Sequence, residues 1–309
     1  MAGEHKNLVI LGPTASGKSA AALEVAERIR AAILSVDSMQ VYRGMDIGTA
    51  KPTPAEQARV QHHLINLVDP NEVFAVGRFV ELADELLRTA TQPLILTGGT
   101  PLYYKSLFEG LFDGPGADEH IRARLREQPN EDLRNRLLQV DPAAGNRIHL
   151  NDHKRLVRAL EVFEITGKPI SSFQTEWSTG LLRHDAVWIG LSWDREALNR
   201  RINARTKQMI EAGWLDETRG ILNRFGGFSP TASEATGYRV LIDCIEGRQS
   251  LDDAVEQIKI ATRQLARRQM KWFRRWPQIK WIAGDRPIEK IVDEILAIYA
   301  SADPTMSRP

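Results

Sequence analysis

Two patterns of hydrophobic and polar positions alternate along the N-terminal third of the chain. Short apolar runs at residues 8–11, 32–36 and 93–97 are typical of buried strands. Between them, residues 20–32 and 76–91 carry apolar side chains at the spacing of an amphipathic helix. Strands that alternate with helices predict right-handed βαβ units and a parallel sheet. We therefore predict an α/β fold with helices on both faces of the sheet.

The pattern changes in the middle of the chain. Residues 118–168 are almost entirely helical in pattern, and a strand-like run at 186–192 then returns to the sheet. We interpret the helical block as an insertion into the α/β core. The predicted domains are a core of residues 1–113 and 185–309, and a helical insertion domain of residues 114–184.

A glycine-rich turn joins the first predicted strand to the first predicted helix. Backbone N–H groups around such glycines form a nest for anions, and the following helix adds the positive end of its dipole. Lys18 brings a mobile positive charge, and Ser19 can place a hydroxyl on Mg²⁺. The turn predicts a P-loop for a di- or triphosphate, with an ordinary glycine turn as the alternative. It comprises Gly12, Pro13, Thr14, Ala15, Ser16, Gly17, Lys18 and Ser19.

Asp37 ends the second predicted strand. Ligands of open α/β sheets bind beyond the carboxyl ends of the strands, so Asp37 is expected beside the P-loop. There it could hold Mg²⁺ or act as a general base; a cap at the strand end is an equal alternative. His62 and His63 are adjacent, and neighbouring strand residues point to opposite faces. For this pair we favour structural roles over a shared metal ion.

Composition narrows the class of protein. The 309 residues include 41 Lys and Arg against 40 Asp and Glu, a net charge of +1, so any surface for a polyanion must be local. The single cysteine, Cys244, excludes an internal disulfide and a cysteine-based metal site. No apolar run approaches the length of a membrane span. We expect a cytoplasmic protein with no membrane partner.

Two later helical segments concentrate positive charge. Residues 262–276 carry six basic side chains, no acidic ones and three large aromatic ones, a mixture that suits nucleic-acid binding. We expect Leu265 and Trp272 to form the buried side of this helix. Upstream, Arg201 and Arg205 are four residues apart and share a helix face, where they could clamp a phosphate.

These motifs together resemble one family. The chain is similar over nearly its whole length to the bacterial tRNA dimethylallyltransferases, also called tRNA isopentenyltransferases. The most specific match is residues 42–52, a segment that generic P-loop kinases lack. The resemblance implies a P-loop that holds a diphosphate with Mg²⁺. We expect a P-loop NTPase-like core and a monomer. The matching segments are residues 12–19, 35–38, 42–52, 98–100 and 261–269.

The family's reaction supplies roles for individual residues. The resemblance implies transfer of the dimethylallyl group of dimethylallyl diphosphate to N6 of the adenine 3′ of the anticodon, within the anticodon stem-loop of tRNA. Thr14 to Ser19 would cradle the diphosphate, with Ser19 at the metal and Thr14 counted as catalytic. Asp37 would take the proton of the attacking amine, and Arg205, beside Arg201, would contact the diphosphate. The tRNA contacts would be Asp37, Ser38, Met39, Gln40, Thr100, Arg122, Lys154, Arg155, Leu156, Val157, Arg158, Gly237, Tyr238 and Arg239.

Three other functions fit parts of the pattern. A P-loop kinase would bind ATP and move its γ-phosphate. A non-catalytic RNA-binding switch would use a nucleotide only to change shape. A third enzyme would prenylate free adenosine phosphate, but the helical insertion and the basic helix favour a large RNA acceptor.

The family commonly has Asp where this chain has Asn66.

Overall fold

The computed structural model describes residues 6–110, 114–173 and 182–302. The chain divides into two compact units. We call residues 1–107 with 184–309 the core unit, and residues 108–183 the helical unit. The first boundary falls between residues 107 and 108, a few residues before the predicted one.

A parallel six-stranded sheet forms the centre of the core unit, as far as the structure describes it. Its spatial order is β3-β2-β4-β1-β5-β6, and in the middle Val9 lies opposite Leu96 and Trp188. Residues 8–11 are fully buried, as expected for a parallel strand covered on both faces. The strands are β1 (Asn7–Leu11), β2 (Ala32–Ser35), β3 (His62–His63), β4 (Leu94–Gly98), β5 (Ala186–Ser192) and β6 (Lys280–Ala283).

Fourteen α-helices occur in the described residues, and none of them is long and apolar enough to span a bilayer. In chain order they are α1 (Lys18–Ile29), α2 (Pro54–Arg59), α3 (Val76–Thr89), α4 (Pro101–Glu109), α5 (Glu119–Arg126), α6 (Asn130–Val140), α7 (Pro142–Arg147), α8 (His153–Thr166), α9 (Ile170–Phe173), α10 (Arg195–Glu211), α11 (Trp214–Phe225), α12 (Tyr238–Ile245), α13 (Leu251–Phe273) and α14 (Ile288–Ala302).

Helices cover both faces of the sheet. Leu8 and Ile10 of β1 pack with α1 and α14 in one hydrophobic cluster, because alternate strand residues share a face. On β5, Trp188 contacts Tyr104 of α4 and Trp276 after α13. The predicted α/β fold with a parallel sheet and helices is confirmed.

Aspartate caps explain where the helices of the helical unit begin. The carboxylates of Asp118, Asp141 and Asp152 accept backbone N–H groups in the first turns of α5, α7 and α8. The apolar stripes between these caps meet in a separate core that includes Leu133 and Leu160.

The buried face of α13 differs from the predicted one. Its inward residues include Ile258, Gln269 and Phe273, whereas Leu265 and Trp272 are only half-buried. A shift of one position turns a helix face by about 100°. Gln269 is polar but buried, so the apolar residues alone did not indicate which face of this helix is buried.

Candidate active site

The P-loop connects β1 to α1 at the carboxyl edge of the sheet. Gly17 precedes the first helical residue, Lys18, with a φ of 89°, a region open to glycine. At Gly12 the reason is space, since an added Cβ would lie 2.7 Å from the Ser16 hydroxyl oxygen. The sequence therefore uses its two glycines differently, one for conformation and one for close packing.

Gln269 connects the P-loop to the loop that follows β4. Its side-chain oxygen accepts the Thr14 N–H at 2.8 Å, and its amide nitrogen donates to the Gly99 carbonyl at 2.7 Å. The side chain is 4% exposed, so both bonds are shielded from water. Because the Thr14 N–H is occupied by Gln269, the hydroxyl of Thr14 is the group that this residue can offer to a ligand.

Asp37 lies just beyond β2 and has one carboxylate oxygen engaged. Its Oδ1 accepts the Met39 N–H at 2.9 Å, which is the capping contact that sequence reasoning held open. Its Oδ2 would lie 3.4 Å from a Cβ built on Gly99. The next residue, Ser38, is tied to Thr100, whose hydroxyl oxygen accepts the Ser38 N–H at 2.9 Å. Asp37 is thus held by the backbone while its carboxylate lines the cavity described next.

A cavity of about 400 Å³ brings these residues together within the core unit. Its lining combines polar and charged side chains with apolar side chains of α10, α11 and α13. The polar lining includes Thr14, Lys18, Ser19, Asp37, Thr100, Arg205 and Gln269. The apolar lining includes Ile202, Met209, Trp214, Ile258 and Leu265.

Lys18 and Arg205, whose charges act on each other, favour an anionic ligand beside the P-loop. Burial, followed by the nearby Arg205 charge, lowers the pKa of Lys18 to about 8, against an opposing effect of Asp37. Burial is also the main cause that lowers the pKa of Arg205. A diphosphate between the two cations would replace their mutual repulsion by attraction.

Three predicted tRNA contacts have internal roles in the structure. The Gln40 amide donates to the Ala50 carbonyl at 3.2 Å and accepts the Ser35 hydroxyl at 2.8 Å. Tyr238 is fully buried, and its hydroxyl donates to Glu217 at 2.6 Å. Gly237 has a φ of 104° and precedes α12, where an added Cβ would lie 2.3 Å from the Trp214 ring. The Gln40 and Tyr238 side chains thus support the loop at residues 42–52, and Gln40 also lines the cavity. Their contacts with tRNA stay predictions.

The loop at residues 42–52 is fixed by two charged side chains. The Glu217 carboxylate accepts three successive backbone N–H groups, those of residues 46–48, at 2.7 to 3.2 Å. Inside the loop, the Lys51 ammonium donates to the Tyr42 carbonyl at 2.6 Å and to Asn66 Oδ1 at 2.7 Å. Asn66 therefore gives Lys51 an oxygen acceptor, as an Asp at this position would, but without a negative charge.

The predicted contacts in the helical unit fall into two groups. Arg122 and Arg158 pair with the fully buried Glu161, at 2.9 and 2.6 Å. Leu156 and Val157 are buried in the core of this unit, where their side chains pack, and an RNA contact by this segment stays a prediction. Lys154 and Arg155 are exposed on the first turn of α8 and remain candidates for phosphate contacts.

A family model described as IPP transferase matches residues 40–276, well over half of the chain. The chain belongs to the IPP transferase family. The tRNA dimethylallyltransferase of Geobacter sulfurreducens is 46% identical over 291 residues, which are 91% of this chain and 93% of the relative. The tRNA dimethylallyltransferase of Acetivibrio thermocellus is 42% identical and covers 93% of this chain and 95% of its own.

Solved structures extend the IPP transferase match to the fold. The tRNA isopentenylpyrophosphate transferase of Bacillus halodurans superposes with a TM-score of 0.70 at 34% identity, over 98% of this chain and all of its own. A eukaryotic dimethylallyltransferase acting on tRNA gives a TM-score of 0.82 at 27% identity, over 99% of this chain and 80% of its own. The family predicted from the sequence motifs is confirmed.

Proposed function

We propose that this protein is a tRNA dimethylallyltransferase. It transfers the dimethylallyl group of dimethylallyl diphosphate to N6 of the adenine 3′ of the anticodon, and it releases diphosphate. The observation that carries this proposal is one cavity in which Lys18 and Arg205 stand with the Asp37 carboxylate. The cations suit the leaving group, and the carboxylate suits the nucleophile. The relatives named above supply the identity of the two substrates.

The chemistry follows from the cations, the carboxylate and the apolar side chains that line the cavity. The adenine N6 attacks C1 of the dimethylallyl group, the C1–O bond breaks, and its electron pair leaves with the diphosphate. Lys18, Arg205 and backbone N–H groups of the P-loop stabilise the negative charge that grows on this leaving group. Asp37 takes one N6 proton through the oxygen that Met39 does not engage. The apolar lining from Ile258 and Leu265 suits the five-carbon chain.

The residues of this site suit a Mg²⁺ ion that is bound mainly by the oxygens of the diphosphate substrate and less by the protein. The described residues contain no group of three or more His, Cys, Asp or Glu side chains arranged for a metal ion. Ser19 lines the cavity from the exposed first turn of α1, and Asp37 lies in the same lining. Mg²⁺ commonly takes one or two protein ligands together with phosphate oxygens and water. Ser19 would hold it, and the ion would neutralise charge on the diphosphate.

The acceptor adenine must leave its stack to reach Asp37, so we propose that the enzyme binds the anticodon stem-loop with that base flipped out. The helical unit would supply backbone contacts through Lys154 and Arg155. Exposed basic residues at the end of α13, including Arg267 and Arg268, would supply others. We further propose that the enzyme is cytoplasmic and acts as a monomer, since the residues that line the cavity all belong to the core unit and the site needs none from a second copy.

The direct test supplies purified protein with labelled dimethylallyl diphosphate and an unmodified anticodon stem-loop. We expect N6-dimethylallyladenosine in digested RNA by mass spectrometry, and none with Lys18→Ala at equal RNA binding. Parallel reactions contain AMP as the acceptor, or ATP as the donor. Label in AMP alone would support the free-nucleotide prenyltransferase, phosphate transfer from ATP would support a kinase, and RNA binding without any transfer would support the switch.

A further inference from the structure

We propose that Trp193 is a positioning residue for the diphosphate site, which it shapes through the backbone of the P-loop. Trp193 follows β5, and its indole N–H donates to the Ser16 carbonyl at 2.9 Å. It is not among the residues that line the cavity. Its effect on a ligand must therefore pass through the P-loop. This inference rests on the proposed function, since it assumes that the P-loop binds a diphosphate.

The bond from Trp193 sets the direction of a P-loop peptide. In a trans peptide the C=O and the following N–H point in opposite directions. When the Ser16 carbonyl is held toward Trp193, the Gly17 N–H is held away from it. A nest binds an anion only when its N–H groups converge on one point. Fixing this peptide plane therefore fixes one donor of the nest before the ligand arrives.

A second side chain holds the preceding peptide in the same way. Arg201 donates through Nε to the Ala15 carbonyl at 2.9 Å, and its guanidinium lies 4.6 Å from the centre of the Trp193 ring. Ala15 has a φ of 64°, a left-handed conformation that is strained for a residue other than glycine. Such strain persists only where surrounding contacts hold it. Trp193 and Arg201 are the contacts that hold this turn from outside the cavity.

The indole occupies space that is open only because residue 284 is a glycine. Gly284 follows β6, and its N–H donates to the Ser192 carbonyl at 2.8 Å. A Cβ built on Gly284 would lie 2.2 Å from the indole nitrogen of Trp193. Any larger residue here must displace the indole. The chain thus offers a second way to disturb the bond to Ser16, without changing Trp193 itself.

The test measures binding of inorganic pyrophosphate and of dimethylallyl diphosphate by calorimetry, beside steady-state kinetics. Trp193→Phe keeps an aromatic ring under Arg201 but removes the N–H. Loss of one hydrogen bond of about 1 kcal/mol predicts roughly a three- to tenfold weaker affinity and higher KM for the diphosphate. We expect kcat and the Kd of the stem-loop to change less than twofold. Gly284→Ala should reproduce this split.

Trp188→Phe is the matched control, because it removes an indole from β5 in the aromatic cluster with Tyr104 and Trp276. Equal diphosphate affinity in wild type, Trp193→Phe and Gly284→Ala would overturn the inference. An effect of the same size in Trp188→Phe, with a matching drop in melting temperature, would also overturn it in favour of general packing. If the wild type itself binds neither pyrophosphate nor dimethylallyl diphosphate, the result contradicts the proposed function, and with it the role of Trp193.

Discussion

Glu161 in the helical unit and Asp37 in the core unit are both carboxylates set among cationic side chains. Glu161 is fully buried, and its oxygens accept Asp118 N–H, Arg122 and Arg158. Asp37 instead accepts the Met39 N–H through one oxygen and lines the cavity that also holds Lys18 and Arg205. A carboxylate whose oxygens are all engaged serves stability. One that keeps an oxygen toward a cavity can accept a proton.

The largest effect should come from neutralising the open carboxylate. Asp37→Asn keeps the acceptor for the Met39 N–H but cannot take a proton from the amine. A positioned general base contributes about 10² to 10⁴ in rate, so single-turnover prenylation should slow by that factor. We expect stem-loop affinity within a few-fold of wild type and an unchanged melting temperature. A near-wild-type rate would leave Asp37 with the capping role alone.

Neutralising the saturated carboxylate should act on stability. In Glu161→Gln an amide N–H₂ must face cationic donors, so one or more charged hydrogen bonds are broken. We expect the free energy of unfolding to fall by about 1–3 kcal/mol in urea denaturation. Glu119→Gln is the control, because Glu119 pairs with Arg126 on the surface and is 68% exposed, where such pairs contribute little. If both variants unfold alike, the contrast between the two carboxylates loses its physical basis.

The Lys18 ammonium beside Asp37 should give diphosphate binding a pH dependence. Lys18 has a pKa of about 8 in the free protein, so it is charged below pH 8 and loses its proton above it. Diphosphate affinity should fall up to tenfold per pH unit above 8, and binding there should take up a proton, since the anion raises the pKa of Lys18. Calorimetry in two buffers of different ionisation enthalpy measures this uptake. In Lys18→Arg the uptake should disappear, because a guanidinium stays protonated.

The smallest effect should separate the exposed cations of α8 from those bound to Glu161. Changing Lys154 and Arg155 together to Gln should flatten the dependence of log stem-loop affinity on log salt by roughly 0.7–0.9 for each phosphate that the variant no longer binds. The melting temperature of the double variant should stay unchanged, because the Arg155 side chain is 69% exposed and its surface ion pair contributes little to stability. Arg158→Gln should instead lower the melting temperature, since Arg158 serves Glu161. A salt slope unchanged in the double variant would remove this end of α8 from the RNA surface.

Local patterns accounted for much of the core unit. The apolar run of β1, the glycines and the helical spacing of α1 predict a strand, loop and helix without reference to the rest of the chain. The place of Asp37 follows from one further rule, because the carboxyl ends of parallel strands share an edge of the sheet. The structure indeed places Asp37 in the same cavity lining as Lys18.

Contacts between distant segments were beyond the reach of these patterns. Gln269 bonds to Thr14 across 255 residues, and Trp193 bonds to Ser16 across 177. A polar side chain in an apolar stripe, or a tryptophan after a strand, is no signal of such a partner. In the helical unit, Arg158 shares a basic edge with Lys154 and Arg155 in sequence. Only the fold shows that Arg158 pairs with the buried carboxylate of Glu161, which separates its role from that of the other two.

The carboxylate of Glu217 has a consequence for how the protein is made. Glu217 lies 170 residues beyond Ile47, so the N–H groups that it accepts are synthesised long before their partner. Water must satisfy those groups while the nascent chain waits for α11 to emerge and fold. Contacts of long sequence separation are associated with slow folding, because the chain between the partners must be ordered first. In a nascent chain that ends before residue 217, the P-loop and Asp37 are already synthesised, but Lys51 alone of the two side chains can hold the adjoining loop, and the N–H groups of residues 46–48 are still bound to water.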